Sequence, residues 1–399
     1  MTLGIFGGTF NPIHLGHEAM IDAFLETIAP DKMLVIPNAQ PPHKESSLLA
    51  TEEDRLAMLE LALAERACHI DKRELLRSGK SYTFETLRSL REEYPKDRFV
   101  LLVGADSLLS FEKWVHFEEI LNQTELAVFE RGGIQGGEDE TLRKEAKRLE
   151  EKYGAKICLI EAKIPPISST VVRQKAAAGM DLSDLVSPSV GEYLKKKNLY
   201  LDPTEMTRQK NAYGISLPDA ENLAKKVLSP KRAYHSLCVA KMAGQLAEKA
   251  GTDPVLAAIA GCLHDLYREE SAESILQKAD KYGIVTVDLF SLPEALLHSK
   301  AGSRLLQKEY QICQTICDAV DSHTEGAADM SLLSEILFVS DAVSEDRTYA
   351  DAPFARELAK KDLHAATAYI FDYMTETLGV RMTENSKNGA AFYARSRAK

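Results

Sequence analysis

Short apolar runs recur along the first half of the chain, at Leu3–Phe6, Met33–Pro37, Phe99–Val103, Leu126–Phe129 and Lys156–Ile160. Between them the apolar positions fall at helical spacing, as in Thr83–Tyr94 and Asp139–Tyr153. Short strands alternating with amphipathic helices predict an α/β domain with a Rossmann-like parallel sheet and right-handed crossovers. Such a sheet binds ligands at the carboxyl ends of its strands, near the switch in strand order. His14, Asp106 and Ser168 each follow a strand candidate. After Leu201 the pattern changes, and Asp202-Pro203-Thr204 with the polar run to Ser216 reads as a linker. From Pro218 the period is helical almost throughout, with Leu237, Ala240, Ala243 and Ala247 on one stripe and Leu332, Ile336, Val339 and Val343 on another. The second half is therefore expected to be all-α. The domains expected are 1–201 and 218–399, joined by a linker at 202–217, with a fraying polar end at Ser386–Lys399.

Length and composition fit this division. At ~150 residues per domain, a chain of 399 residues holds two or three domains. It is 45% hydrophobic and 27% charged, which is ordinary for a globular protein. A net charge of −11 argues against a nucleic-acid partner, so any phosphate binding must be local. The six cysteines form no Cys-x-x-Cys pair and mostly lie in apolar runs, as reduced buried thiols of a cytoplasmic protein would. The N-terminus lacks a signal-peptide pattern, and no apolar run nears the ~20 residues of a membrane span.

The densest chemical signal is residues 4–17, Gly-Ile-Phe-Gly-Gly-Thr-Phe-Asn-Pro-Ile-His-Leu-Gly-His. A strand enters a Gly7-Gly8 turn, and a helix begins near Leu15 with His14 and His17 at its start. A helix N-terminus offers unpaired N–H groups and partial positive charge, and glycine lets backbone approach a phosphate. The spacing is neither G-x-G-x-x-G nor G-x-x-x-x-G-K-[ST], which excludes the dinucleotide and P-loop fingerprints. Two further stretches suit a triphosphate: Pro41-Pro42-His43-Lys44, and Ile167-Ser168-Ser169-Thr170-Val171-Val172-Arg173, where hydroxyls open a helix. Chemistry on a bound triphosphate needs only positioning and charge neutralisation, with Mg²⁺ sharing the load, when the attacking group is an ionised phosphate.

His-x-Gly-His after a strand resembles the nucleotidyltransferase superfamily. With Pro-x-His-Lys, Ser81-Tyr82-Thr83, Gly104-Ala105-Asp106-Ser107, Ile-Ser-Ser-Thr-x-x-Arg and Val186-Ser187-Pro188-Ser189-Val190, the first 200 residues resemble bacterial nicotinate-nucleotide adenylyltransferases. The resemblance implies ATP and nicotinate mononucleotide as substrates. It implies His14 and His17 on the ATP phosphates, beside a turn of Gly7, Gly8, Thr9 and Phe10. Lys44 and Arg173 would clamp the pyrophosphate side, with Ser168, Ser169 and Thr170 nearby, and Asp106 would hold ribose. Trp114, the only tryptophan, would stack on the pyridine, and Tyr82-Thr83 would meet the nicotinate carboxylate. Arg131 matches a mononucleotide-phosphate position, although Gly132-Gly133 follow it where the family has Pro-Gly. Trp114 as plain core and Asp106 as a helix cap are the competing readings.

In the second half His264-Asp265 lies within an apolar helical run, where a charged pair is costly unless it holds a metal. His235, His298, His323 and Asp341 are further ligand types. The order His…His-Asp…Asp resembles the HD superfamily of metal-dependent phosphohydrolases, and the fuller set resembles YqeK-type HD hydrolases, which cut diadenosine tetraphosphate to ADP. That implies two metals held by His235, His264, Asp265, His298, His323 and Asp341, with Arg232 and Arg347 toward substrate phosphates. The family's Ile-Glu-Pro is Val343-Ser344-Glu345 here. Imidazole and carboxylate without thiolate favour iron first, then manganese, cobalt or magnesium, over structural zinc. Two other readings stay open: a nucleotidase or phosphodiesterase of other specificity, and a metal-bound regulatory or dimerisation module. A second copy of the chain is the remaining candidate partner.

Overall fold

The computed structural model describes all residues except 40–48, 78–80, 132–137, 285–288, 290–291, 379–381 and 397–399. The chain divides into two units, Met1–Ala177 with Asp181–Leu201, and Ala178–Met180 with Asp202–Lys399.

The first unit holds a six-stranded sheet, β1 (Thr2–Gly8), β2 (Lys32–Pro37), β3 (His69–Ile70), β4 (Arg98–Val103), β5 (Glu125–Arg131) and β6 (Ile157–Ala162). Its order is β3-β2-β1-β4-β5-β6, and every pairing is parallel. β1, β2 and β4 are buried almost end to end, which is why they read as unbroken apolar runs. Alternate residues serve two cores: Phe6, Val35, Val100 and Leu102 face one side, and Ile5, Leu34, Leu101 and Val103 the other. The strand order reverses between β1 and β4, which pair from Thr2↔Arg98 to Ile5↔Leu101, so their carboxyl ends flank the switch point. The two-residue β3 has no counterpart among the sequence expectations. Cys158 departs from the buried-thiol expectation and is exposed, since the edge strand β6 is covered poorly, whereas Cys238, Cys262 and Cys317 are buried.

Arg55, on the helix Glu52–Leu63, is fully buried. Its Nη1 donates to the carbonyls of Thr9 (2.8 Å) and Asn38 (2.7 Å), and Nη2 to that of Ala39 (3.4 Å). One guanidinium thus fastens the chain leaving β1 to the chain leaving β2.

The second unit is helical. The stretch 202–217 is not an extended linker. Asp202 caps the helix Pro203–Tyr213 by accepting from Thr204 N at 2.8 Å, and Gly214 closes it at φ 88°. Tyr213 and Gln209 are buried, and Gln209 Oε1 accepts from Leu217 N at 2.9 Å. The end of the chain is likewise ordered as the helix Glu384–Ser396. Thr383 and Asn385 donate to the Glu325 carboxylate (2.6 and 3.0 Å), and Tyr393 is buried against Phe371. Among the described residues, no helix is long and apolar enough to cross a membrane.

Candidate functional sites

At the switch point, β1 runs into Gly7-Gly8 and then Phe10, whose φ is 47°. The helix Leu15–Ile28 begins at the expected residue, with His14 as its N-cap. His14 Nδ1 accepts from His17 N at 3.3 Å, and the two rings stack at 3.6 Å. A Cβ at residue 16 would lie 3.1 Å from His14 Nδ1 and 3.2 Å from Pro165 O, so glycine there lets the ring lie over the helix start. Burial lowers the His14 pKa to about 4, only partly offset by its backbone hydrogen bond, and the ring is neutral near pH 7.

A cavity of about 540 Å³ opens beside this helix start. Gly7, Gly8, Thr9, Phe10 and His17 line it together with Tyr82, Thr83 and Trp114. Trp114 stacks on the buried Phe111 at 4.9 Å while lining the cavity, so packing and lining are combined. Asp106 is exposed on the helix Ala105–Leu109, and Gly104 and Ser107 supply the lining there. Successive helical residues point ~100° apart, so Ser107 lines the cavity and Asp106, the expected ribose partner, lies one residue before it. Ser168, Ser169, Thr170 and Arg173 are likewise not among the lining residues. Ser169 and Arg173 brace the loop that carries His14: Ser169 Oγ donates to Pro12 O (3.0 Å) and Arg173 Nη1 to Asn11 O (2.7 Å), while Arg173 Nη2 donates to Thr170 Oγ1 (3.2 Å). Ser168 Oγ accepts from Val171 N at 3.3 Å. Lys44 lies outside the described residues, as does the side chain of Arg131. Sequence reasoning missed Glu74, which lines the cavity, accepts from Thr86 Oγ1 at 2.6 Å, and has its pKa raised by burial.

The second unit gathers the imidazoles and carboxylates of the second half. His235 lies on the helix Pro230–Lys249, capped by Ser229. His264 and His323 each follow a helix, Pro254–Leu263 and Gln314–Ser322. A Cβ on Gly261 would come within 2.5 Å of Ala240 Cα, so glycine lets the helices of His264 and His235 approach. His264 Nδ1 donates to Gly261 O (2.8 Å) and His323 Nδ1 to Val320 O (2.7 Å), which leaves both Nε2 atoms as acceptors. Their Nε2 atoms lie 3.4 and 3.7 Å from the two oxygens of Asp265. His235 Nε2 stands 3.0 Å from Asp341 Oδ1.

Two groups have ligand atoms within 4.8 Å of one another: His235, His264 and Asp341, and His264, Asp265 and His323. His264 Nε2 is buried without a hydrogen-bond partner. A buried lone pair of that kind, among imidazoles and carboxylates, fits a divalent cation. His298 is in neither group, although its ring lies 5.2 Å from that of His323. Arg268 Nη1 donates to its Nδ1 at 2.9 Å, so its proton sits on Nε2, 3.2 Å from Thr324 Oγ1 and 3.4 Å from Asp265 Oδ1. Burial pushes Asp265 up and the imidazoles of His264 and His323 reverse this, holding it far below the carboxylate range. Burial lowers His264, and the Asp265 and Asp341 carboxylates more than reverse that, to about 9, so without metal Nε2 holds a proton among these carboxylates that a bound cation would displace. Both expected phosphate arginines bind carboxylates: Arg232 Nη1 donates to Asp265 at 2.8 Å, and Arg347 to Asp341.

Fold and sites together define a nucleotidyltransferase followed by an HD domain. Residues 5–175 match the cytidylyltransferase-like family and residues 232–346 the HD domain. A "Probable nicotinate-nucleotide adenylyltransferase" of Clostridium tetani is 33% identical over 197 residues, 49% of this chain and 97% of that protein. A protein of the same description from Synechococcus sp. (strain JA-3-3Ab) is 37% identical over 205 residues, 50% of this chain and 95% of that one. Over its first half the chain belongs to the nicotinate-nucleotide adenylyltransferase family. A solved structure from Clostridium acetobutylicum, described as a "predicted HD superfamily hydrolase involved in NAD metabolism", aligns with 45% of this chain and 98% of its own, at 26% identity and a TM-score of 0.42.

Proposed function

We propose that the chain is a bifunctional enzyme. Its first domain transfers adenylyl from ATP, as the Mg²⁺ complex, to nicotinate mononucleotide. An oxygen of the acceptor's phosphate attacks the α-phosphorus, the bond to the β-phosphoryl oxygen breaks, and nicotinate adenine dinucleotide and pyrophosphate leave. The observation that carries this is one cavity lined both by the His17 helix start and by Trp114 with Tyr82-Thr83. Helix N–H groups and imidazole donors suit the triphosphate, and an aromatic face beside the start of the helix Thr83–Glu93 suits a pyridine bearing a carboxylate. In this reading Arg173 acts partly through the loop it braces. The test compares acceptors: nicotinate mononucleotide should exceed nicotinamide mononucleotide by at least ~10-fold in kcat/KM, the worth of one charge-assisted hydrogen bond. Equal values would remove the nicotinate assignment.

The second domain is read as a metal-dependent phosphohydrolase that cuts diadenosine tetraphosphate symmetrically to ADP. His235, His264, Asp265, His323 and Asp341 would hold the metals, iron, manganese or cobalt, with His298 beside them. A divalent pair there supplies an activated water and neutralises phosphate charge. Asp265 lies between the imidazoles and can serve both positions; Arg232 and Arg347, ion-paired with Asp265 and Asp341, add positive charge beside them. Full-length protein loaded with Mn²⁺ or Fe²⁺ should release ADP from diadenosine tetraphosphate, and Asp265→Ala should lose bound metal and activity together. Metal binding without hydrolysis of any dinucleoside polyphosphate would favour the regulatory reading.

A further inference from the structure

Each imidazole of the second site has its outer nitrogen fixed by a different group. For His264 and His323 that group is a backbone carbonyl, and for His298 it is Arg268. For His235 it is a carboxylate, Asp346, whose Oδ2 lies 2.8 Å from His235 Nδ1. Asp346 belongs to none of the motifs read from the sequence. It lies just past the point where the chain departs from Ile-Glu-Pro.

The departure has a structural logic. Ser344, fully buried, donates from Oγ to Asp346 Oδ1 at 2.7 Å, leaving the other carboxylate oxygen toward His235. The turn that carries both is pinned from outside: Arg356 donates to Val343 O and Ser344 O, each at 2.7 Å. Arg356, the turn, Ser344, Asp346 and His235 form a continuous strut ending at an Nε2 that faces Asp341. We infer that Asp346 is a positioning residue for metal binding in this chain: it fixes the His235 tautomer, orients the ring and strengthens Nε2 as a donor to the cation. The inference rests on the reading of His235 as a ligand. Outer carboxylates of this kind are worth ~10–100-fold in metal affinity.

The test titrates chelator-treated full-length protein with Mn²⁺, following free Mn²⁺ by electron paramagnetic resonance, for wild type, Asp346→Asn, Asp346→Ala and Ser344→Ala. Affinity should fall ~10–100-fold in both Asp346 variants and by less in Ser344→Ala. Thermal midpoints of the metal-free proteins should match wild type, because a residue needed only for folding would shift them. Asp265→Ala serves as the control that removes a proposed ligand. Wild-type Mn²⁺ affinity in Asp346→Asn and Asp346→Ala, with Asp265→Ala impaired, would overturn the role of Asp346 alone. Absence of Mn²⁺ binding by the wild type would overturn it together with the metal-site reading.

Discussion

His14 offers a quantitative test of the first site, because its ring is only 6% exposed and holds a pKa of about 4 against an ordinary 6.5. As pH falls below 6.5 the unfolded chain takes a proton that the folded chain refuses. Stability contributed by the neutral ring is therefore complete above pH 6.5 and is lost progressively down to about pH 4. The difference of about 2.5 units corresponds to about 3 kcal/mol. His14→Asn is the informative perturbation, since asparagine is a good N-cap and can still accept from His17 N, but does not titrate. Trp114 is the only tryptophan and lies in the first unit, so its fluorescence in the full-length chain reports that unit's unfolding. Urea denaturation at pH 7, 6, 5 and 4 should show wild type losing about 3 kcal/mol more than the variant across that range. A constant difference between the two proteins, within about 0.5 kcal/mol at every pH, would refute the reasoning and mean that the ring is hydrated.

Three further outcomes are expected. Arg55→Met should cost several kcal/mol, because three carbonyls, one buried and two part-buried, lose the donor of a fully buried guanidinium at ~1–3 kcal/mol each, and a loss under ~1 kcal/mol by Trp114 fluorescence would contradict the clamp. Gly16→Ala should reduce adenylyl transfer ~10-fold or more by shifting the His14 ring a few tenths of an ångström, while stability changes by less than ~1 kcal/mol; steady-state kinetics and denaturation separate the two. A fragment of residues 202–399 should melt cooperatively by circular dichroism. A fragment of residues 216–399, lacking Tyr213 and Gln209, should be less stable by ~3 kcal/mol from lost burial and hydrogen bonds, and equal melting would show the helix Pro203–Tyr213 to be dispensable.

Strands buried on both faces announce themselves, which is why β1, β2, β4 and β5 were legible; the poorly covered edge strand β6 was legible only through its apolar run, and the two-residue edge strand β3 was not. The helix Pro203–Tyr213 was hidden by its composition: only Gln209 and Tyr213 are buried, too few to create a period, although Asp202-Pro203 and Gly214 are start and stop signals. The His-x-Gly-His chemistry was legible because residues three apart on a helix start meet, whatever the tertiary fold. The second site was legible as a set of ligand types, but not as pairings. Asp346 is 111 residues from His235, and nothing local marks it as that ring's partner. Arg268 meets His298 Nδ1 across a separation of 30 residues, again without a local sign. Arg55 reads as one more surface cation on an amphipathic helix, and only the fold reveals the carbonyls it reaches.

That clamp bears on how the protein can vary. The chain after β1 carries the histidine motif, and the chain after β2 continues toward Lys44; the two are encoded 17 to 46 residues from the side chain that joins them. Neither loop can be lengthened, shortened or grafted from a relative without preserving a carbonyl within reach of one guanidinium. Library designs that randomise these loops should therefore hold residue 55 constant and select for loop ends that still reach it. Attempts to move the acceptor preference by loop exchange should succeed or fail on that hydrogen bond before any contact with substrate is tested.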